Sequence, residues 1–200
     1  MEEQNNVPEP EKKESAAKSV LLYLHDLLYM LAIIMIVFLL LFRMVIVSGS
    51  SMYSTLWDGD WLLLLSSVFY NEPEYGDIIV ASKDSFNSGE PIIKRVIATE
   101  GQTVDIDFRE GIVYVDGQPL EEDYTYTMTT TPEGIQFPLT VEEGCVFVMG
   151  DNRDDSKDSR HPDIGLVDKR EILGKALILL VPGTDKGYAD RDFSRIGVLN

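Results

Sequence analysis

The clearest pattern along the chain is a long apolar run near its start. Residues 1–19 are polar, and the stretch from Leu27 to Val47 is almost wholly apolar, interrupted only by Arg43. As an α-helix this stretch would be about 30 Å long, which matches the hydrocarbon core of a bilayer. Arg43 lies near one end, where its long side chain can reach the polar interface. We therefore predict a polar tail over 1–19 and a juxtamembrane segment with a transmembrane helix over 20–47.

A cleavable signal peptide is the alternative interpretation of this run. Its apolar core is too long for one, its leading region is acidic as well as basic, and no A-x-A cleavage site follows. These features favour an uncleaved anchor. Lys12, Lys13 and Lys18 favour a cytoplasmic N-terminus with the remaining domain on the extracytoplasmic side of the cell membrane. Arg43, at the other end of the apolar run, weakens the evidence for this orientation.

Beyond the apolar run the chain has the pattern of short β-strands. Residues 103–108 alternate between apolar and polar, and residues 111–115 lead into Asp116-Gly117, a typical two-residue hairpin turn. Other short apolar runs rich in β-branched residues are bounded by turn signals, at 77–81, 92–99, 145–149 and 173–181. The pattern predicts a mainly β fold, with antiparallel sheets or a barrel behind one helix. Residues 121–140, rich in threonine and acids, are predicted to form a peripheral lobe.

Charge and composition exclude several classes of protein. The net charge is −17 and the pI is near 4.4, so the phosphates of a nucleic acid would be repelled. A single cysteine, Cys145, allows no internal disulfide, and with only His25 and His161 a Cys/His zinc site is short of ligands. We expect no nucleic-acid partner, no metal and no cofactor.

A cluster of hydroxyl groups follows the apolar run, in residues 47–56. Taken alone, such a stretch is typical of a juxtamembrane linker. Ser51 is a candidate nucleophile if a base is available, and the candidates are His161 in a triad and Lys94. In a strand, Lys94 would share a face with Ile and Val residues, and burial there would lower its pKa toward neutrality. A neutral amine can accept the serine proton, whereas a surface lysine on an edge strand would have no such role.

A polar run over residues 150–165 is the third candidate element. A calcium-binding loop starting at Asp151 would place Arg153 at a ligand position and Pro162 at the twelfth position, so that template fits poorly. A solvated loop is the simplest alternative. The interleaved Asp, Arg, Asn and Ser residues better fit a hydrogen-bonded network that orients other groups.

Four segments, in order, resemble the sequence boxes of type I signal peptidases, the membrane-anchored Ser/Lys endopeptidases of bacteria. The nucleophile box S-M-x-P-T-L is similar to residues 51–56, with Ser54 in place of proline. The G-D box and the lysine box resemble residues 75–80 and 94–101, and the G-D-N-R-x-x-S-x-D-S-R box resembles residues 150–160. The resemblance covers more than a hundred residues directly behind the predicted span.

The resemblance implies the catalytic roles. Ser51 would attack the peptide carbonyl, with its own backbone N–H as one oxyanion donor, and Lys94 would be the general base. Some members add a hydroxyl two residues before the nucleophile. Gly49 occupies that position here, so Ser50 or water would have to replace it.

The resemblance also implies a set of supporting residues: Asp151, Ser156, Asp158 and Arg160. Ser156 would hydrogen-bond the Lys94 ammonium group, and Asp158 and Arg160 would form a buried pair beside it. In the same way it implies a catalytic antiparallel β domain over 48–104 and 144–200, with a smaller inserted β lobe over 105–143.

The implied substrates are the N-terminal signal peptides of exported pre-proteins, cleaved after small residues. Val47, Met52 and Ile93 are the candidate walls of the shallow apolar pockets, and the peptide would bind as an added strand at a sheet edge. Membrane lipid is the other expected partner. Trp57, Trp61 and Leu62–Leu65 are predicted either to contact lipid or to lie in the core.

Two other functions stay open on the sequence. A non-catalytic β module displayed on an anchor would leave Ser51 and Lys94 far apart. A sortase-like transpeptidase would use Cys145 with His161, although no T-L-x-T-C motif typical of sortases precedes that cysteine.

Overall fold

The computed structural model describes residues 16–83, 86, 89–184 and 191–199 and begins with one helix, α1 (Ala16–Leu41). Its segment Lys18–Leu41 has a mean hydropathy of 2.5 and is long and apolar enough to cross a membrane. Most of the predicted polar tail lies outside the described residues, and residues 16–19 already belong to the helix.

The helix ends earlier than the sequence predicts. Residues 42–46 form a strand, β1 (Phe42–Ile46), which pairs with β2 (Trp61–Ser66). Val45 packs against a buried apolar cluster to which Val47 belongs. The prediction of a helix up to Val47 is therefore wrong, because the end of the apolar run supplies a sheet and its core. Arg43 accordingly lies in β1 and not in the helix.

The described residues form two antiparallel sheets, as predicted. The strands after β2 are β3 (Ile78–Ser82), β4 (Pro91–Thr99), β5 (Thr103–Asp107), β6 (Ile112–Val115), β7 (Gln118–Pro119), β8 (Leu139–Thr140), β9 (Cys145–Met149), β10 (Val167–Asp168), β11 (Ile172–Val181) and β12 (Gly197–Val198). The larger sheet has eight strands in the order β1-β2-β11-β3-β4-β9-β10, and β12 pairs with β11. The smaller sheet has the order β7-β6-β5-β8.

Strand β11 connects the two halves of the large sheet. It pairs with β2 on one side and with β3 on the other, although β2 and β3 are neighbours in sequence. Ser51 lies in the connection between β1 and β2, and Lys94 lies in β4. Strand β11 therefore joins the β1–β2 hairpin, which holds Ser51, to the β3–β4 hairpin, which carries Lys94.

The strands of the small sheet span residues 103–140, which overlap the stretch predicted as an inserted lobe. The predicted hairpin turn is present: Asp116 and Gly117 have φ values of 52° and 74°, the left-handed pair that a tight turn needs, between β6 and β7. The sheet begins at Thr103, two residues before the predicted boundary. Its buried residues pack in one cluster with Ile97 and Phe147 of the large sheet. The two sheets therefore share a core, and the lobe boundaries remain a prediction.

The segment predicted either to contact lipid or to lie in the core supplies buried residues at alternate positions. Leu62 and Leu64 are buried in the same cluster as Val47, because alternate residues of β2 point to the core face. Trp61 is 39% exposed.

Candidate active site

Ser51 lies in a tight turn that its apolar neighbours fix. Met52 and Leu56 are 1% and 0% exposed and pack in the cluster beneath the turn. Tyr53 N donates to Ser50 O at 3.0 Å, and Leu56 N donates to Met52 O at 2.8 Å. The buried side chains thus fix the turn, while Ser51 itself is partly exposed.

Lys94, in the middle of β4, lies against Ser51. Its Nζ donates to Ser51 Oγ at 2.7 Å and to Ile93 O at 3.0 Å, and the residue is 5% exposed. The prediction of a buried lysine is confirmed. Burial lowers the pKa of Lys94 to about 8, although the carboxylates of Asp158, Glu133 and Asp151 oppose that change. A sizeable fraction of the amine is therefore neutral near physiological pH.

A cleft of about 690 Å³ opens beside these two groups. One wall is the chain from Val45 to Met52, and the other is the start of β4 from Pro91 to Lys94. The three predicted pocket residues, Val47, Met52 and Ile93, all line it. The structure therefore brings the predicted nucleophile, base and pocket residues together at one cleft.

Asp151 ties three segments of the site together. It accepts from Arg95 Nε at 2.9 Å and from Arg95 Nη2 at 2.8 Å, and both side chains are buried. Thr55 Oγ1 donates to the same carboxylate at 2.5 Å. One bidentate pair thus joins the strand of Lys94, the turn of Ser51 and the polar loop.

The predicted pair of Asp158 and Arg160 is present and fully buried. Arg160 donates from Nε and Nη2 to the two carboxylate oxygens, both at 2.8 Å. Gly150 N also donates to Asp158, at 3.0 Å. Gly150 has no room for a side chain, because a Cβ there would lie 2.4 Å from Ser51 O.

One predicted contact of this loop is not formed. Among the described contacts, Lys94 donates to Ser51 and Ile93, and the Ser156 hydroxyl donates instead to Asp158 Oδ2 at 3.0 Å. Asp158, which also accepts from Arg160, accepts this hydrogen bond from the hydroxyl. The prediction that Ser156 hydrogen-bonds Lys94 is therefore wrong for this structure.

The groups next to Gly49 do not supply a second oxyanion donor. Ser50 Oγ, the candidate substitute, donates to Asp155 at 2.5 Å. Gly49 N donates to Asp58 Oδ1 at 2.8 Å. Both donors are thus engaged with carboxylates.

Sequence reasoning missed several residues that hold the site. Arg153 is 1% exposed and pairs with Glu122, and the Arg95 guanidinium lies 4.0 Å from the centre of the Tyr124 ring. The buried Asp60 pairs with Arg195, which also donates to Thr55 O at 3.2 Å. The sequence contained one signal for Arg95. Neighbouring residues of a strand point to opposite faces, so Arg95 could support the site from the face opposite to Lys94.

None of the described hydrogen bonds joins Cys145 to His161, the pair that a sortase-like mechanism would use. Burial raises the pKa of the Cys145 thiol, so the residue is a poor nucleophile. His161 Nδ1 accepts from Asp163 N at 3.1 Å. The residues that the structure describes contain no group of three or more His, Cys, Asp or Glu side chains placed to hold a metal ion. The distance of 2.7 Å between Ser51 and Lys94 also contradicts the expectation for a non-catalytic module.

Comparison with known proteins places these observations in a family. Residues 20–181 match the family described as signal peptidase, peptidase S26. The chain is 39% identical over 149 residues to a probable signal peptidase I-1 of a Synechocystis strain, covering 70% of this chain and 72% of that protein. It is 31% identical over 180 residues to a signal peptidase I of Bacillus licheniformis, covering 86% and 94%.

Among solved structures, a signal peptidase I from Enterococcus faecalis matches at 32% identity, with a TM-score of 0.43, over 52% of this chain and 96% of that one. The family match spans most of the chain, and its members at 31–39% identity are signal peptidases I. The chain belongs to the signal peptidase family, peptidase S26, and its activity is that of an endopeptidase that removes signal peptides.

Proposed function

We propose that Ser51 is the nucleophile and Lys94 the general base of this endopeptidase. The observation that carries the proposal is the 2.7 Å contact between Lys94 Nζ and Ser51 Oγ at the cleft, with the lysine 5% exposed. In the ammonium form Nζ donates to Oγ. In the neutral form the same contact allows the hydroxyl to donate to Nζ, which is the arrangement that a base requires.

In the acylation step, Ser51 Oγ attacks the carbonyl carbon of the scissile peptide as its proton moves to Lys94 Nζ. The resulting ammonium then gives that proton to the leaving amine nitrogen, the C–N bond breaks, and an ester to Ser51 remains. In deacylation the neutral lysine takes a proton from water, whose oxygen attacks the ester carbon. The proton returns to Ser51 Oγ as the signal peptide leaves with a free carboxylate.

The developing oxyanion needs hydrogen-bond donors placed in advance. We assign one donor to the backbone N–H of Ser51, by resemblance to the family. Because Ser50 and Gly49 are engaged with carboxylates, the second donor is proposed to be water.

The substrate is proposed to be the cleavage region of an exported pre-protein, bound as an extended strand. β9 pairs with β4 only from Arg95 onward, so residues 91–94 present their backbone to the cleft. A peptide can pair there and place small side chains against Val47, Met52 and Ile93. Larger side chains would meet these apolar walls, which agrees with a preference for small residues.

Asp151, Ser156, Asp158 and Arg160 are proposed to support the dyad without touching substrate. All four are buried. Asp151 fixes Arg95, next to Lys94, and the Asp158–Arg160 pair with Ser156 shapes the loop that packs against Ser51 O at Gly150.

The helix α1 and the family indicate membrane anchoring. We propose a single span with the N-terminus in the cytoplasm, so that the catalytic domain works on the extracytoplasmic side, with membrane lipid as its neighbour. Lys12, Lys13 and Lys18, on the N-terminal side of the apolar run, support this orientation.

The test is cleavage of a synthetic pre-protein by the full chain in detergent. Ser51→Ala and Lys94→Ala are each expected to abolish cleavage. His161→Ala and Cys145→Ala are the matched controls and should retain it. Loss of activity in His161→Ala, with Lys94→Ala still active, would overturn the assignment.

A further inference from the structure

Asn152, in the polar loop, uses its side-chain amide outside its own helix turn. It occupies the N-cap position of the short 3₁₀ helix Arg153–Asp155, where asparagine is favoured because its side chain can cap the helix. Here the side chain makes no capping hydrogen bond. The residue is 7% exposed, so its amide needs partners within the fold. One partner is Ser50 O, in the turn that carries Ser51, and the other is the hydroxyl of Thr127.

Asn152 binds the carbonyl groups before and after the Cα atom of Ser51. Its Nδ2 donates to Ser50 O at 3.2 Å, and its backbone N donates to Ser51 O at 3.0 Å. Tyr53 N also donates to Ser50 O, at 3.0 Å. The peptide unit between Ser50 and Ser51 is therefore held by a side chain that lies 102 residues away in the sequence.

The contact with Thr127 fixes which end of the amide faces Ser50. Asp154 N donates to Thr127 Oγ1 at 3.0 Å, so the hydroxyl proton is available for Asn152 Oδ1, which lies 3.4 Å away. With Oδ1 accepting on one side, the NH₂ group faces the carbonyl oxygen of Ser50 on the other. The reverse orientation would set two acceptors, Oδ1 and Ser50 O, against each other.

The peptide unit that Asn152 holds contains Ser51 N–H, the donor assigned to the oxyanion. A peptide unit is planar and trans, so its carbonyl and its N–H point in opposite directions. Fixing Ser50 O therefore fixes the direction of Ser51 N–H, and the bonds that the carbonyl accepts also strengthen this N–H as a donor. None of the described hydrogen bonds uses Ser51 N–H, and both serines line the cleft. This N–H is thus available to an oxygen atom bound in the cleft.

We propose that Asn152 is a positioning residue for the oxyanion donor: its side-chain amide holds the peptide between Ser50 and Ser51 so that Ser51 N–H is aimed before substrate binds. The proposal rests on Ser51 being the nucleophile and its N–H the donor. A donor placed in advance stabilises the charge that develops in the transition state, with no reorientation at that moment. Asn152 therefore acts on the rate of the chemical step and not on the affinity for the peptide.

The test is the cleavage kinetics of Asn152→Ala in the full chain, with kcat and KM measured separately. The value of kcat is expected to fall roughly tenfold with KM unchanged, because Ser51 N–H stays in place and loses one of the bonds that aim it. Removing an oxyanion donor outright costs more, about 100- to 1000-fold. The matched control is Asp154→Ala, which alters an exposed residue of the same short helix and should leave both constants unchanged.

Two inhibitors of one peptide sequence separate the aim of the donor from damage to the fold. When a peptide aldehyde ending in alanine binds, Ser51 Oγ adds to its carbonyl carbon, the serine proton passes to Lys94 Nζ, and the carbonyl oxygen becomes an oxyanion. The corresponding peptide alcohol has no carbonyl group and cannot form that oxyanion. In Asn152→Ala the inhibition constant of the aldehyde should rise by the factor by which kcat/KM falls, and that of the alcohol should not change.

An unchanged kcat, or a lower kcat with an unchanged inhibition constant for the aldehyde, would overturn the proposal. Equal weakening of both inhibitors would overturn it as well, since it would indicate damage to the cleft. Ser51→Ala separates the two levels of the argument. Activity in that variant refutes the nucleophile, whereas an inactive Ser51→Ala with an unaffected Asn152→Ala refutes only the role of Asn152.

A melting curve for each variant reports folding. If Asn152→Ala does not fold, Asn152→Asp takes its place, because it keeps the acceptor for Thr127 and removes the donor to Ser50. If neither variant folds, Asn152 is a structural residue and the proposal fails.

Discussion

Arg95 donates hydrogen bonds from Nε and Nη2 to the carboxylate of Asp151, at 2.9 and 2.8 Å, and both side chains are buried. Arg95 follows the proposed base in β4, while Asp151 belongs to the polar loop and also accepts from Thr55 in the turn of Ser51. The relative placement of Ser51 and Lys94 therefore depends on this pair as well as on their own contact.

Asp151→Asn should lower both stability and cleavage, because it leaves a buried guanidinium without its counter-charge. The expected loss of unfolding free energy is roughly 3–5 kcal/mol. Denaturant unfolding and cleavage rates of the purified protein measure it. Arg170→Ala removes a pair whose arginine side chain is 89% exposed, and should cost no more than about 1 kcal/mol. Equal effects of the two variants would contradict this account of the buried pair.

The cleavage rate should rise with pH through about 8, the lowered pKa of Lys94. The neutral amine is the reactive form, so the rate falls as pH drops below that value and levels off above it. The measurement is kcat/KM against pH on one pre-protein. His161→Ala should give the same profile, and a limb that disappears in that variant would assign the titration to histidine instead.

Lys94→Met should be inactive yet more stable at neutral pH. The pKa of Lys94 is about 8 in the fold and about 10.4 in an unfolded chain. The unfolded state therefore binds more protons between these values, and stability rises with pH across that window. Removing the charge should add about 3 kcal/mol at pH 7.

That gain should shrink at pH 10 and above, where the lysine is neutral in the folded protein. Melting curves at pH 7 and pH 10 give the comparison. Lys157→Met, an exposed lysine at the same cleft, serves as control and should change stability little at either pH. A Lys94→Met variant less stable than the parent at pH 7 would mean that the lysine is a structural residue.

Asp158→Ala and Arg160→Lys should both lower the melting temperature and the cleavage rate. The first strands a buried charge at a cost of roughly 3–5 kcal/mol, and the second replaces a bidentate fork by a single ammonium. Asp154→Ala and Lys157→Ala alter exposed residues of the same loop, so they should stay within about half a kcal/mol of the parent. If all four variants melt and cleave like the parent, the loop does not support the dyad.

Most of the strands were predictable because their signals are local. The apolar runs at 77–81, 92–99 and 173–181 correspond to β3, β4 and β11 within one residue at each end, and the run at 145–149 is β9. The burial of Lys94 also followed from its neighbours in a strand. The end of α1 was missed because Phe42–Ile46 is as apolar as the helix before it, and only pairing with β2 makes it a strand.

Contacts between distant residues could not be predicted in this way. Glu122 pairs with Arg153, and Asp60 pairs with Arg195. The partners lie far apart in the sequence, and no periodic pattern predicts such pairs. The hydroxyl of Ser156 donates to Asp158, and none of the described hydrogen bonds joins it to Lys94. Such choices depend on side-chain geometry, which the sequence does not contain.

The position of β11 between β2 and β3 has a consequence for the biogenesis of the enzyme. The ribosome releases the β1–β2 and β3–β4 hairpins long before it releases β11, so the sheet that sets Ser51 opposite Lys94 cannot close on a nascent chain. Pairings of such long sequence separation also form slowly. The arrangement of Ser51 opposite Lys94, and with it the activity, is therefore expected only after β11 has been synthesised and has paired with both hairpins.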